Sequence, residues 1–441
     1  MRGTRTRLNY GNAGLESGKS NKYIGRVNKV GENIFDGFKS KNSLFLNKEI
    51  LRHSYTPESL PHRDQEIQSL SYNLVEALHG QIPSNMILYG LTGQGKTATT
   101  NFVCSQLEEK GQSIGKNVST LIVNCRQIDT QYRVLANMGN SLLQQDEIEI
   151  PFTGWPNDRV LFELSKRMDN KGGVFIIVLD EIDHLVKKAG DDILYNLTNM
   201  NSTLKNSRAC VIGISNDLKF TDYLDPRVRS RLGQLDVLFK PYSAGQLQDI
   251  LKNRASAGLK QGIIKEGVIE LCSAIAAQEQ GDARCALDLL RVSAEMAERD
   301  NSEFILQHHV RTAHNQIEAD QIIPTIQSLP AQQKLVLSAI LLNERFGMKN
   351  IKTGSVYDIY KQACRFNNQA PVTQRHVSGL ISNLDMLGLI NAKKVFKGRG
   401  GATKEINSCI PANVDPIEVL SQSDEVFEEL FKKKYNHQGR L

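Results

Sequence analysis

Residues 86–97 read MILYGLTGQGKT, an apolar run that gives way to glycines and ends on Lys96 and Thr97. Gly90, Gly95, Lys96 and Thr97 fit the spacing Gly-x4-Gly-Lys-Thr, and a helical pattern over 97–109 follows at once. Strand, loop and helix in that order make a phosphate cradle. Gly90, Gly93 and Gly95 let successive backbone N–H groups curl around phosphate oxygens, and the helix N-terminus adds partial positive charge. Lys96 is expected on the β- and γ-phosphates and Thr97 on Mg²⁺, with Thr92, Gln94 and Ala98 completing the nucleotide-binding stretch. A second match, AGLESGKS at 13–20, has no strand before it because Arg5 to Asn12 is polar and basic. It reads as tail sequence.

Further apolar runs at 120–123, 174–179, 209–214 and 236–239 alternate with helical patterns at 63–78, 97–109 and 132–143. That alternation predicts a doubly wound parallel sheet. The run VFIIVL ends on Asp180 and Glu181. A strand-end aspartate can hold Mg²⁺, usually through water, and the adjacent glutamate can act as general base toward an attacking water. Taken alone the pair reads equally well as a solvated acidic loop; the P-loop upstream favours the catalytic reading. Asn216 follows the fourth run and could hold the water, although such an asparagine more often caps a turn. Arg227, Arg229 and Arg231 crowd DPRVRSR, and Arg284 opens a helix at 283–299. An arginine can neutralise charge on a transferring phosphoryl group; a solvated basic turn and an exposed helix start are the plainer readings.

At 441 residues the chain has room for two to three domains. No apolar run is long enough to span a bilayer, and the basic start, Met1 to Leu8, lacks the apolar core of a secretory signal. A cytoplasmic protein without membrane contact is expected. The seven cysteines are scattered with no CxxC, which favours buried reduced thiols over a zinc site. Net charge is +6, but residues 345–404 hold eleven Lys or Arg against two acids. One basic region on a near-neutral body points to a polyanion partner.

Beyond Pro241 only helical patterns continue to about residue 320, and Pro324 and Pro330 read as a linker. Residues 331–410 then read helix, helix, helix, hairpin. Thr373 can cap a helix whose apolar positions are Val377, Leu380, Ile381, Leu384 and Leu387. Gln374, Arg375, Ser378, Ser382 and Asn383 occupy its other face, suited to bases or phosphates. Strands at 390–396 and 402–406 are joined by Lys397, Gly398, Arg399, Gly400 and Gly401. This is a winged-helix pattern with a basic wing, and Lys397, Arg399 and Lys404 join the candidate DNA contacts. A winged helix used for protein contacts is the alternative.

The P-loop, DEID at 180–183, Ser215-Asn216, DPRVRSRL at 225–232, the 239–242 hinge and GDARCALDLLR at 281–291 occur in that order. Together they resemble the AAA+ ATPases of the replication-initiator group, closest to the archaeal origin-recognition and cell-division-control type proteins, over roughly residues 45–410. The resemblance implies an α/β AAA+ P-loop domain at 41–241, an all-helical lid at 242–322 and a winged helix at 323–415. A basic flexible tail at 1–40 and a charged tail at 416–441 flank them. It implies roles by position: Asn216 as the γ-phosphate sensor, Arg284 as the lid-borne sensor, and Arg231 as the arginine finger, with Arg227 and Arg229 as rivals. Arg63, Tyr242 and Arg254 match positions that touch nucleotide. Residues 127–143 lie where initiators carry a DNA-touching insertion, with Arg126 and Arg133 as candidates.

The implied activity is slow, switch-like ATP hydrolysis with ATP/ADP and Mg²⁺, in a nucleoid-associated initiator. It would bind origin double-stranded DNA and assist loading of the replicative helicase, together with other initiator copies. A nucleotide-regulated winged-helix transcription factor is the alternative, disfavoured by intact Glu181, Asn216 and Arg284. Transposition-helper and clamp-loader ATPases usually lack the winged helix.

Overall fold

In the computed structural model the described residues are 43–432, apart from 53, 54, 56, 58, 146, 349, 350, 397–401, 412 and 424. The apolar runs become β1 (Met86–Tyr89), β2 (Val118–Asn124), β3 (Gly173–Asp180), β4 (Ser207–Ser215) and β5 (Leu235–Leu238). They pair in parallel in the order β2-β3-β4-β1-β5. Side chains alternate between two buried faces. Ile87, Phe175, Ile177, Leu179 and Val211 point to one core. Met86, Leu88, Ile176, Val178 and Ile212 point to the other, which helices Asp64–Leu78 and Lys96–Ser113 cover. Register is what builds the site. Asp180 lies level with Asn124 on one side and Ile214 on the other, and Tyr89 is level with Ser215. The loops after β1, β3 and β4 therefore leave the sheet along one edge.

Helices Asn157–Lys171, Ile182–Ala189, Asp192–Asn199 and Pro226–Leu232 complete this layer, none of them anticipated by pattern. Four helices form the lid: Ala244–Gly258, Val268–Gln278, Ala283–Arg299 and Gln307–Ser328. Ser243 and Gln246 close a capping box on the first. Leu44 and Leu51, assigned by sequence to the base domain, are buried in the lid core. The reason is local: Leu46 N–H and Asn47 N–H donate to Gly258 O, which ties this segment to the lid's first helix.

The proline linker is a correction. Pro324 sits inside helix Gln307–Ser328, and Pro330 caps helix Ala331–Arg345. An interior proline removes one helical hydrogen bond and crowds the carbonyl four residues before it, and here burial of Ala319 and Ile326 in the next core offsets that cost. The winged-helix unit contains helices Ala331–Arg345, Thr353–Phe366 and Gln374–Met386, with β6 (Ile351–Lys352), β7 (Ile390–Phe396) and β8 (Ala402–Ser408) in the order β6-β8-β7. The charged tail is a second correction. Residues Pro416–Ser423 and Glu425–Lys432 are helical, and Leu420, Phe427, Leu430 and Phe431 bury into the winged-helix core. A third is Leu387, the expected last apolar position of its helix, which is 48% exposed just past the helix end.

Candidate active site

Along the sheet edge lies a cleft of about 390 Å³. Its floor is Gly93 to Ala98; Asp180, Glu181 and Asn216 form one wall, and Arg254, Ala283, Arg284 and Leu287 of the lid form another. Ile50, Tyr55, Leu60 and Pro61 make its apolar end. A charged end and an apolar end in one cleft suit a nucleotide.

The loop has no slack. Gly93 has φ +70°, and a Cβ there would lie 1.6 Å from Asp282 Oδ1. Ala283 N–H donates to Gly93 O at 3.1 Å, so the lid motif rests directly on the loop. Asp282 also caps its own helix, accepting from Arg284 N–H at 2.7 Å. Gly90 is needed from behind: a Cβ there would meet Gln94 Oε1 at 2.3 Å and Phe239 O at 2.8 Å. Gly90 and the exposed Thr92 do not line the cleft.

Lys96 is 5% exposed, and its Nζ donates to Gly90 O at 2.8 Å and Leu91 O at 2.7 Å. Burial lowers its pKa to about 8. Thr97 Oγ1 donates to Asp180 Oδ2 at 3.0 Å. Burial raises the Asp180 carboxyl, opposed by the Thr97 hydrogen bond. A hydroxyl and a carboxylate in contact beside a phosphate cradle form the hard oxygen set that Mg²⁺ takes, so these residues fit that ion. Glu181 occupies the left-handed region at φ +54° and donates its N–H to Asp180 Oδ1. Its Oε2 is buried without a hydrogen-bond partner, with Arg126 Nη1 and His184 Nε2 each 3.9 Å away. Glu181 lines the cleft beside the phosphate cradle, which is where a general base is needed.

Asn216 reaches the cleft because buried Asp183 accepts from Asn216 N–H at 3.3 Å and Ser215 Oγ at 3.4 Å. Asp183 was given no role of its own in the acidic run; its place as fourth residue of DEID, turned inward at a helix start, could have marked it. Arg284 lines the cleft and has no ion-pair partner among the described residues. Arg254 lines it too, held by Ile50 O and Tyr55 O at 3.2 and 3.0 Å with its guanidinium over the Tyr55 ring.

Arg63 does not reach the cleft, contrary to expectation. It is 3% exposed and donates to Gln94 O, Tyr242 Oη, Glu66 Oε1 and Lys240 O, with its guanidinium 3.9 Å from the Tyr242 ring centroid. It braces the loop and hinge from beneath. Tyr242 lines the cleft and receives that brace. Arg231 also lies off the cleft, its Nη1 donating to Asn199 Oδ1 at 2.6 Å, while Arg227 and Arg229 are exposed beside it.

At the far end, Thr373 caps helix Gln374–Met386 as expected, and Val377, Leu380, Ile381 and Leu384 are buried. Gln374 and Arg375 are exposed, and Arg375 has no ion-pair partner among the described residues. Ser378, Ser382 and Lys404 are partly engaged with one another: Lys404 Nζ donates to Ser378 O and Ser382 Oγ. Burial lowers the Lys404 pKa. Lys397 and Arg399 lie outside the described residues. Arg126, ahead of helix Gln131–Ser141, and Arg133 on it are both exposed. Five of the seven cysteines are buried; Cys285 is half-buried and Cys409 exposed.

The strand order, the P-loop edge and a lid that delivers an arginine to it define an AAA+ ATPase, here followed by a winged helix. Family models agree segment by segment: "ATPase family associated with various cellular activities (AAA)" over 86–240, "Cdc6 AAA+ ATPase-type lid domain" over 248–315, and "CDC6, C terminal winged helix domain" over 324–419. The chain is 47% identical to an ORC1-type DNA replication protein of Thermococcus onnurineus, over 93% of this chain and 98% of that one. It is 48% identical to ORC1-type DNA replication protein 1 of Methanosarcina mazei, over 86% and 91%. A solved structure of the Aeropyrum pernix ORC1 protein in complex with DNA superposes with a TM-score of 0.75 at 40% identity, covering 88% of this chain and 100% of that one. The chain belongs to the family of ORC1-type DNA replication proteins. Among its described residues no helix is long and apolar enough to cross a membrane.

Proposed function

We propose that this protein is a DNA replication initiator whose hold on origin duplex DNA is switched by ATP and ADP, and that it assists loading of the replicative helicase. The observation that carries the switch is helix Gln307–Ser328. Its Val310 belongs to the lid core and its Ile326 to the winged-helix core, while the neighbouring lid helix starts at Asp282, pressed on the P-loop. A change at the loop thus has a continuous packed route to the DNA-binding unit. The DNA complex of the Aeropyrum pernix relative supports DNA as the ligand.

In the proposed reaction Glu181 accepts a proton from the water that attacks the γ-phosphate, and Asn216 positions that water. Lys96 and Arg284 neutralise the developing phosphoryl charge. Thr97 and Asp180 would hold Mg²⁺, which would supply further charge neutralisation there. Arg231, off its own cleft, would complete the cleft of a neighbouring copy. On DNA, Gln374 and Arg375 make the leading contacts of the recognition helix, Lys397 and Arg399 of the wing reach phosphate or the minor groove, and Ser378, Ser382 and Lys404 act as one linked group. Genome-wide footprinting tests the biology. Protection at one or a few replication start sites is expected; enrichment spread over many promoters would replace this reading with a transcriptional one.

A further inference from the structure

Within the lid, three donors from two elements converge. Glu279 caps the end of helix Val268–Gln278, one turn of chain before the Asp282–Arg284 motif. His314 and Glu318 stand at i and i+4 on helix Gln307–Ser328, the helix shared with the winged-helix core. His314 Nε2 lies 3.2 Å from Glu279 Oε1 and 3.6 Å from Glu318 Oε1. All three ligand atoms fall within 4.8 Å of one another. We infer that Glu279, His314 and Glu318 form a divalent transition-metal site that ties the nucleotide-sensing turn to the helix leading into the winged helix.

Three features support a cation over a simple ion pair. Two carboxylates approach one imidazole nitrogen, and a neutral ring can donate from that atom to only one of them. The spacing suits a metal: bonds of about 2.1 Å in tetrahedral array set donor atoms about 3.4 Å apart. The outer shell is also in place, because Cys285 Sγ donates to the other Glu279 oxygen at 3.0 Å and orients that carboxylate. The site needs no CxxC, so cysteine spacing in the sequence could not reveal it.

A second group, Asp300, His308 and His309, lacks this freedom. His309 Nδ1 accepts from Leu306 N–H at 3.0 Å, which leaves the proton on the Nε2 that faces Asp300. The His314 Nδ1 has no such commitment among the described residues. One imidazole and two carboxylates suit Zn²⁺ or Mn²⁺.

The test uses tag-free, full-length, nucleotide-free protein stripped with chelator and titrated calorimetrically with ZnCl₂ and, separately, MnCl₂. His314→Gln and Glu318→Gln are run beside the parent, with circular dichroism to confirm folding. Expected is one saturable site in the parent that weakens at least tenfold in both variants, together with a metal-dependent rise in thermal midpoint seen only in the parent. Glu318→Gln sits on a partly exposed helix face and keeps side-chain shape, so it reads the site even where His314→Gln folds poorly. No saturable binding in the parent, or equal binding in all three proteins, would reduce the cluster to an ion pair and overturn the inference.

Discussion

The P-loop and the recognition helix are both helix starts, yet they are built in opposite ways. Around the P-loop, Gln94, Lys96, Thr99 and Thr100 are buried, Arg63 braces the loop from beneath, and Asp282 presses on it from the lid. At the recognition helix, Gln374 and Arg375 stand in solvent. Phosphoryl chemistry demands groups fixed before substrate arrives, because any reorganisation is charged to the barrier. Reading a duplex demands side chains that can still adjust, since phosphate contacts mainly set register. The braced end should therefore respond steeply to small geometric changes, and the open end mildly to loss of a whole side chain.

Gly93→Ala is the sharpest way to break that contrast. The left-handed backbone costs an L-residue about 1–2 kcal/mol, and the new Cβ would fall 1.6 Å from Asp282 Oδ1. Nucleotide affinity measured by calorimetry should drop on the order of 100-fold, with duplex binding in the absence of nucleotide retained. Unchanged affinity would mean that the lid does not brace the loop.

A tenfold effect is expected from pH. Lys96 sits at about 8 in the nucleotide-free protein, lowered by burial from 10.5. Phosphate favours the charged lysine, so nucleotide affinity should fall roughly tenfold between pH 7 and 9, and Lys96→Met should flatten that profile. The stability effect runs the other way. Between pH 8 and 10.5 the unfolded chain binds the extra proton, so this group makes folding more favourable as pH rises through that window, while the full cost of burying its charge is present below it.

The smallest change belongs to the open end. Arg375→Ala should weaken duplex binding about fivefold and lower the salt slope by about 0.9, as one phosphate contact is lost. Lys404→Ala should do less, because that ammonium already donates to Ser378 and Ser382. Equal losses would erase the distinction between free and engaged cations on this face.

What the sequence revealed follows the same division. Lys96, Thr97, Asp180 and Glu181 were legible because their chemistry demands short fixed spacings next to apolar runs. Strand positions followed from apolar runs, clearest in β1, β3 and β4, which are buried almost throughout. Arg63 misled because its neighbours in sequence line the cleft, whereas its own partners, Tyr242 and Lys240, lie about 180 residues away and only the fold brings them together. Asp183 was hidden in an acidic run until burial separated it from Asp180 and Glu181. Pro324 signalled a break that long-range packing overrode, and residues 416–432 looked like a charged tail because their apolar positions are spaced for two short helices. Helices 157–171 and 192–199 were missed where polar residues dilute the apolar period.

ATP turnover and ATP affinity of Glu181→Gln, measured side by side with the parent protein, put the braced cleft to the most direct test. Turnover should fall by at least about 100-fold, the usual weight of a positioned general base, with ATP affinity unchanged because Lys96, Thr97 and the loop amides remain. Turnover equal to the parent's would contradict the account, since the cleft-wall carboxylate of Glu181 would then have no part in the chemistry.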